Sequence, residues 1–186
     1  MNEGPRIIVL NGVGSVGKSS IARALQAMTL EPFLHVQLDT FITMLPSAYQ
    51  EQHPDGFVFE TVHQDGKPLV VIRSGGVARR ALQGMRHAII AMARQGNNMI
   101  VDDVVLGSVR AHYGDLAAEH HVSFVGVFAP LDVLEARERQ RGDRRIGLAR
   151  WQYERVHKDT IYDLEIDASR VTPLQCATVI KETFQL

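Results

Sequence analysis

Residues 12–19 read Gly-Val-Gly-Ser-Val-Gly-Lys-Ser and fit G-x-x-x-x-G-K-[ST] at every fixed position. That spacing suits one task. A glycine-rich turn lets the backbone N–H groups of Gly12, Val13, Gly14, Ser15, Val16 and Gly17 curl around a phosphate. The helix that opens at Lys18 adds the positive end of its dipole. Lys18 would reach the β and γ phosphates of a nucleoside triphosphate, and the Ser19 hydroxyl would ligate Mg2+. Ser20 belongs to the same nucleotide-binding stretch. The bland alternative is an ordinary strand-to-helix turn rich in glycine. An apolar run over 7–10 precedes the motif and an amphipathic stretch follows it, so pattern and context agree against that alternative.

Such a site needs a second acid at the end of a strand beside the first. Met99-Ile-Val-Asp102 supplies it, and Asp102 would hold Mg2+ partly through water. Asp103 has three readings: support for the metal's ligands, a substrate contact, or a turn residue. Transfer to a hydroxyl also needs a group that orients and deprotonates the acceptor. Asp39 ends a predicted strand over 33–38, on the edge that carries the phosphate loop, where open α/β sheets bind ligands. It is the candidate base. The competing reading makes it the N-cap of a short helix from Thr40.

Arg137, Arg139, Arg141, Arg144, Arg145 and Arg150 fall within 14 residues. Arg137 and Arg141 share one helix face, and the planar arginine fork suits phosphate oxygens. A helix–Gly–helix segment over 131–157, carrying Arg137, Arg141 and Arg144, reads as a lid. Its closure would exclude water from the γ-phosphate and add positive charge in the transition state. The competing reading is a solvated charged face. Glu135 and Arg139, spaced i,i+4, fit that face, which removes Arg139 from the site.

These residues need a scaffold to bring them together. Apolar runs predict strands over 6–11, 33–38, 99–101, 122–128 and 164–167. Amphipathic stretches predict helices over 18–28, 77–95, 108–119, 131–141 and 147–157, with a last one capped by Thr172 and begun by Pro173. The alternation implies an α/β fold: a five-stranded parallel sheet with helices on both faces. Residues 47–76 break the rhythm and are too long for a plain connection. Runs over 57–62 and 68–72 flank His63-Gln-Asp-Gly66, whose Asp-Gly pair predicts a hairpin turn. This insertion lies between the second strand and the long helix, within a single domain expected to span 1–186.

Composition narrows the function classes. The chain has 186 residues, 20 basic against 21 acidic, and a net charge of −1. A protein built to grip nucleic acid would carry a basic excess. With 45% apolar and 22% charged residues, the mix is globular rather than disordered. One cysteine, Cys176, excludes an internal disulfide and every multi-cysteine zinc motif, and reads as a small buried hydrophobe. The start, Met-Asn-Glu-Gly-Pro, shows neither a basic segment nor a long apolar one. No apolar stretch approaches the roughly 20 residues that span a bilayer. The expectation is a cytoplasmic protein with no membrane partner. The neighbouring His120 and His121 do not converge on one ion, and Trp151 reads as packing rather than an adenine stack.

On these residues the chain resembles chloramphenicol phosphotransferase and its relatives, within the adenylate-kinase-like P-loop kinases. The likeness begins with Ile8-Val-Leu-Asn11-Gly12, Gly17-Lys18-Ser19, and Asp39 followed by Met44-Leu-Pro46. It continues through Ala91-Met-Ala-Arg94 with Gly96, and Ile100-Val-Asp102-Asp103-Val104 with Leu106-Gly107. Its most specific parts come late: Arg137-Glu138, Arg141-Gly-Asp-Arg144 with Gly147, Val156-His157, and Tyr162-Asp163 with Glu165 and Asp167. The resemblance implies a P-loop kinase fold with a helical lid. It implies transfer of the γ-phosphoryl group of ATP to a primary hydroxyl of chloramphenicol. Asp39 would then be the base, Lys18 and Ser19 would serve the nucleotide, and Arg137, Arg141 and Arg144 would belong to the lid. Two departures stand out: Gly14 occupies a position where serine is expected, and 50–76, which shapes the acceptor pocket in the family, matches poorly.

The expected function is an ATP- and Mg2+-dependent O-phosphotransferase whose partners are ATP and a small-molecule alcohol, chloramphenicol or a similar antibiotic. The alternatives are a related kinase of a nucleotide sugar or metabolite, and a nucleotide-binding switch with no acceptor.

Overall fold

The computed structural model describes residues 4–186. Residues 1–3, part of the start from which no leader is expected, lie outside the described residues. Along the chain run β1 (Arg6–Asn11), α1 (Lys18–Met28), β2 (Phe33–Gln37), α2 (Leu38–Thr43), α3 (Ser47–Glu51), β3 (Phe57–Gln64) and β4 (Lys67–Ser74). Then follow α4 (Gly76–Arg94), β5 (Asn98–Asp103), α5 (Val109–His112), α6 (Gly114–Glu119), β6 (His121–Phe128), α7 (Leu131–Arg141), α8 (Leu148–Tyr153), β7 (Leu164–Asp167) and α9 (Pro173–Phe184).

The main sheet has the order β2-β5-β1-β6-β7, every neighbouring pair parallel, as the alternation predicts. Helical crossovers cover both faces of such a sheet, so its strands read as unbroken apolar runs. In β1, Ile8 and Leu10 pack with Ile21 and Leu25 of α1 and Ile180 of α9. Ile7 and Val9 point the other way, toward Met85 and Ile89 of α4 and Leu116 of α6. The phosphate loop therefore leaves the middle strand of a core sealed on two sides.

Several boundaries move, for identifiable reasons. β5 runs through both aspartates because its pairing with β1 continues to Asn11 opposite Asp103. The predicted helix over 108–119 is two short ones, since Tyr113 leaves helical geometry at φ −117° while Asp103 holds its hydroxyl. The helix predicted over 147–157 shortens to α8. α3 carries no apolar periodicity long enough to predict. α9 begins as expected, with the Thr172–Gln175 capping box and Pro173 in its first turn.

β3 and β4 form a separate antiparallel hairpin, turning at Asp65 (φ 51°) and Gly66 (φ 72°). Among the described residues, no helix is long and apolar enough to cross a membrane.

Candidate active site

The phosphate loop is held from below. Gly12 passes so near β6 that a Cβ there would lie 2.5 Å from the Val127 carbonyl oxygen. Val13 and Val16 are each 1% exposed and anchor the loop in the core. Between them Ser15 takes a left-handed φ of 65°, strain that persists where the surroundings over-determine it. Lys18 Nζ donates to the carbonyls of Gly12 (2.7 Å) and Val13 (3.3 Å) and stands 3.8 Å from Asp102 Oδ1. Burial pulls the Lys18 pKa below its ordinary value, while the carboxylates of Asp102, Asp103 and Asp39 oppose that pull.

Asp102 lies opposite Leu10 in the β1–β5 register, which puts its carboxylate beside the loop. Ser19 Oγ donates to Asp102 Oδ2 at 2.6 Å. Burial works against the Asp102 charge. His35, 3.7 Å away, together with Lys18 and the Ser19 hydroxyl, outweighs it, and the carboxyl stays below its usual range. A hydroxyl and an ionised carboxylate side by side are hard oxygen donors of the kind Mg2+ takes. The pair fits the metal expected there.

Asp39 corrects one expectation. β2 stops at Gln37, where pairing with β5 ends, and α2 starts at Leu38. Asp39 is thus the second residue of a helix, neither a strand end nor an N-cap, and α2 has no side-chain cap. Its carboxylate still reaches the expected cleft, where Arg144 Nη2 donates to Oδ2 at 2.5 Å.

The arginines divide. Arg141 and Arg144 line the cleft, with Arg141 also bonded to Asp143 by two contacts of 3.1 Å. Arg137 does not enter it: its guanidinium donates to the carbonyls of Val16 (3.1 Å) and Ala168 (2.8 Å), tying α7 to the back of the loop and to the β7–α9 turn. Arg139 is exposed, as expected, but Glu135 pairs with Arg150 of α8 rather than with Arg139, because α8 packs against α7.

Asp103, 2% exposed, faces away from the cleft. Its oxygens accept from the Val104 N–H and the Tyr113 hydroxyl, both at 2.7 Å, and Arg86 stands 3.8 Å off. Of the three readings, the structure favours a structural one. Burial, reinforced by the Asp103 charge, pushes the Tyr113 phenol well above its usual value. Trp151 is packed at 8% exposure under the Arg155 guanidinium, although it also borders the cleft. Cys176 is buried as expected. No group of three metal-ligating side chains occurs among the described residues.

Three contributors escaped sequence reasoning. Gln152 Oε1 accepts the Gly14 N–H at 2.7 Å across a separation of 138 residues, a contact no local spacing announces. A Cβ at position 14 would lie 3.1 Å from that oxygen, which gives the glycine at this departure a packing reason. Asn11 bonds the Val105 N–H, the Val156 carbonyl and the Tyr162 hydroxyl, fixing the loop's base to the segments that follow β5 and α8. Glu138 is 2% exposed on a helix of charges; the resemblance names it beside Arg137, but nothing in the local pattern marks it as buried.

Lys18, Ser19, Asp39, Asp102, Arg141 and Arg144 form the polar side of a cleft of about 260 Å³. Ile42, Phe57, Phe59, Ile72 and Leu82 form an apolar wall across it, much of it from the hairpin. The arrangement can hold a triphosphate on one side and an uncharged molecule on the other.

Known proteins share this fold. Residues 5–185 match the family described as chloramphenicol phosphotransferase-like protein. "Putative O-phosphotransferase Rv2636" of Mycobacterium tuberculosis is 30% identical over 195 aligned positions, covering 100% of this chain and 84% of that protein. The structure of the M. tuberculosis APS kinase CysC with AMPPNP and APS superposes at a TM-score of 0.64, 16% identity and 99% coverage of both chains. Shikimate kinase from Aquifex aeolicus gives a TM-score of 0.59 at 12% identity, covering 96% of each.

Proposed function

Because this chain belongs to the chloramphenicol phosphotransferase-like family, and is therefore a P-loop O-phosphotransferase, we propose that it phosphorylates the hydroxyl of an uncharged, aromatic-bearing small molecule, chloramphenicol or a similar antibiotic. One observation carries the reading: the candidate base Asp39 and the phosphate-loop Lys18 line the same cleft as the wall of Phe57, Phe59 and Ile72. Lys18, Arg141 and Arg144 are the only cations among the described residues lining it, and a triphosphate uses all of them. A nucleotide sugar would bring a second diphosphate that needs cations of its own.

Asp39 accepts the acceptor's hydroxyl proton as that oxygen bonds to the γ-phosphorus, and the bond to the β–γ bridging oxygen breaks to release ADP. The loop N–H groups and Lys18 orient the β and γ phosphates. Arg141 and Arg144 balance charge developing on the transferred group. Ser19 and Asp102 would hold Mg2+, which offsets phosphate charge when bound. An ATP-consumption screen over hydroxyl-bearing antibiotics and nucleotide sugars, with product mass measured, tests the substrate. Transfer to chloramphenicol or another uncharged aromatic alcohol, abolished by chelator, is expected. Transfer only to a nucleotide sugar would discard the proposed acceptor class. ATP turnover that no acceptor stimulates would favour the switch.

A further inference from the structure

Glu138 sits on α7 with 2% exposure and is absent from the cleft. It is not idle. Its Oε2 accepts the Gly147 N–H at 2.8 Å and its Oε1 accepts the Ala149 N–H at 2.7 Å. One buried carboxylate thus takes two backbone donors from the turn that carries Arg144 and Arg145 into α8. Bonds from N–H groups to an ionised acceptor are stronger than neutral ones.

The same turn is fastened on its other side. The Gly147 carbonyl accepts the Val70 N–H of β4 at 3.0 Å. Gly147 has φ 100°, and a Cβ there would lie 2.5 Å from the Pro68 carbonyl oxygen, so conformation and approach both demand glycine. Arg145 then lies 4.9 Å over the Phe59 ring and pairs with Glu51 at 2.7 Å. The chain of contacts runs from α7 through Glu138 and Gly147 into the hairpin, whose Phe59 and Ile72 form the apolar wall.

We infer that Glu138 is a positioning residue that joins the arginine turn to the acceptor hairpin, so that engaging the triphosphate also sets the acceptor wall. The inference rests on the reading of the cleft given above. Exposed ion pairs such as Arg144–Asp39 exchange partners cheaply, whereas a buried carboxylate with two N–H donors does not. A shift of the turn toward a triphosphate therefore carries Gly147, Val70 and the hairpin with it. By linkage, an acceptor seated on the wall raises nucleotide affinity by the same factor, about 5- to 150-fold for typical couplings.

Hydrogen exchange of the full chain, with and without AMPPNP and Mg2+, tests this without knowing the acceptor. In the parent, the analogue slows exchange over 12–20, over 142–149 and over 57–74. Two variants cut the junction from opposite sides. In Glu138→Gln one oxygen replaces two and an NH2 faces a backbone donor. Val70→Pro removes the N–H that Gly147 accepts. Each keeps the analogue-induced slowing over 12–20 and loses at least about tenfold of that over 57–74. Slowing over 57–74 that survives in both variants, or that the parent lacks while 12–20 is protected, overturns the inference. A parent in which 12–20 gains no protection overturns the reading of the cleft, and this inference with it.

Discussion

The side chains of Lys18 and Asp102 are 6% and 10% exposed, whereas those of Asp39 and Arg144 are 58% and 27% exposed. Asp102 sits on β5 of the sealed sheet, and Lys18 opens α1 at the end of the loop that leaves the neighbouring β1. The second pair joins segments 105 residues apart, one on a short helix and the other on the turn between α7 and α8. An exposed ion pair contributes about 0–1 kcal/mol, so Arg144 can leave Asp39 for a phosphate at small cost. The buried side rearranges only for a ligand that supplies new partners, because parting Lys18 from its carbonyls and carboxylate otherwise strands buried polar groups. The cleft thus pairs a rigid half with a movable one.

The largest effect tests the movable side. Asp39→Asn should cost on the order of 10²–10⁴ in transfer rate, the usual contribution of a general base. Since Asp39 caps nothing, Asp39→Ala should lose as much activity while both variants melt like the parent. An active Asp39→Asn would move the base elsewhere. Next comes the rigid side: Lys18→Ala should lower transfer about 10²- to 10³-fold, as removal of a preorganised charge donor does. Transfer at the parent rate would undo the site assignment.

A smaller effect sharpens the boundary between the two regions, which runs through the arginines of α7. Arg137 satisfies two backbone carbonyls, so Arg137→Ala should cost roughly 1–3 kcal/mol of stability and lower the melting temperature. Arg141 is exposed and lines the cleft, so Arg141→Ala should slow transfer more than it weakens AMPPNP binding and leave melting unchanged. Thermal melts beside kinetics separate the two. The reverse pattern would return Arg137 to the cleft.

This division also accounts for what was readable beforehand. The buried half was legible because its constraints are local: a fixed spacing in the loop, apolar runs forced by two-sided burial, and the aspartate Asp102 at the end of one such run. Even the hairpin turn announced itself through Asp65-Gly66. What stayed hidden depends on distant approach. Nothing near Gln152 marks it as a partner of Gly14, and nothing near Asp103 shows that Tyr113 turns it away from the cleft. Arg137 and Arg141 look equivalent on a helical wheel, yet the β7–α9 turn captures one of them and leaves the other at the cleft.

The smallest effect concerns the seam where the two regions meet. His157 follows α8 and stacks on Phe128 at 3.9 Å between ring centroids. Its Nδ1 lies 2.8 Å from the Tyr162 hydroxyl, which in turn accepts from Asn11 Nδ2 at 2.8 Å. Burial raises the Tyr162 pKa to about 12, so the phenol keeps its proton and donates it to His157 Nδ1. Burial with the Lys18 charge lowers the imidazole pKa to about 4, which keeps the ring neutral at ordinary pH. In the unfolded chain the same group titrates near 6.5. Between those values the unfolded state binds the proton and the folded state does not, so stability present above pH 6.5 is lost as pH falls toward about 4. His112, lowered by burial and by Arg86, adds to the same acid limb. In His157→Asn the side-chain oxygen can still accept from Tyr162 while nothing titrates. Melting temperature measured from pH 7 to pH 4 should therefore fall less steeply in the variant, with the difference vanishing near neutrality. Identical slopes would mean that His157 is protonated in place, and that the bond from Tyr162 does not hold this end of the loop.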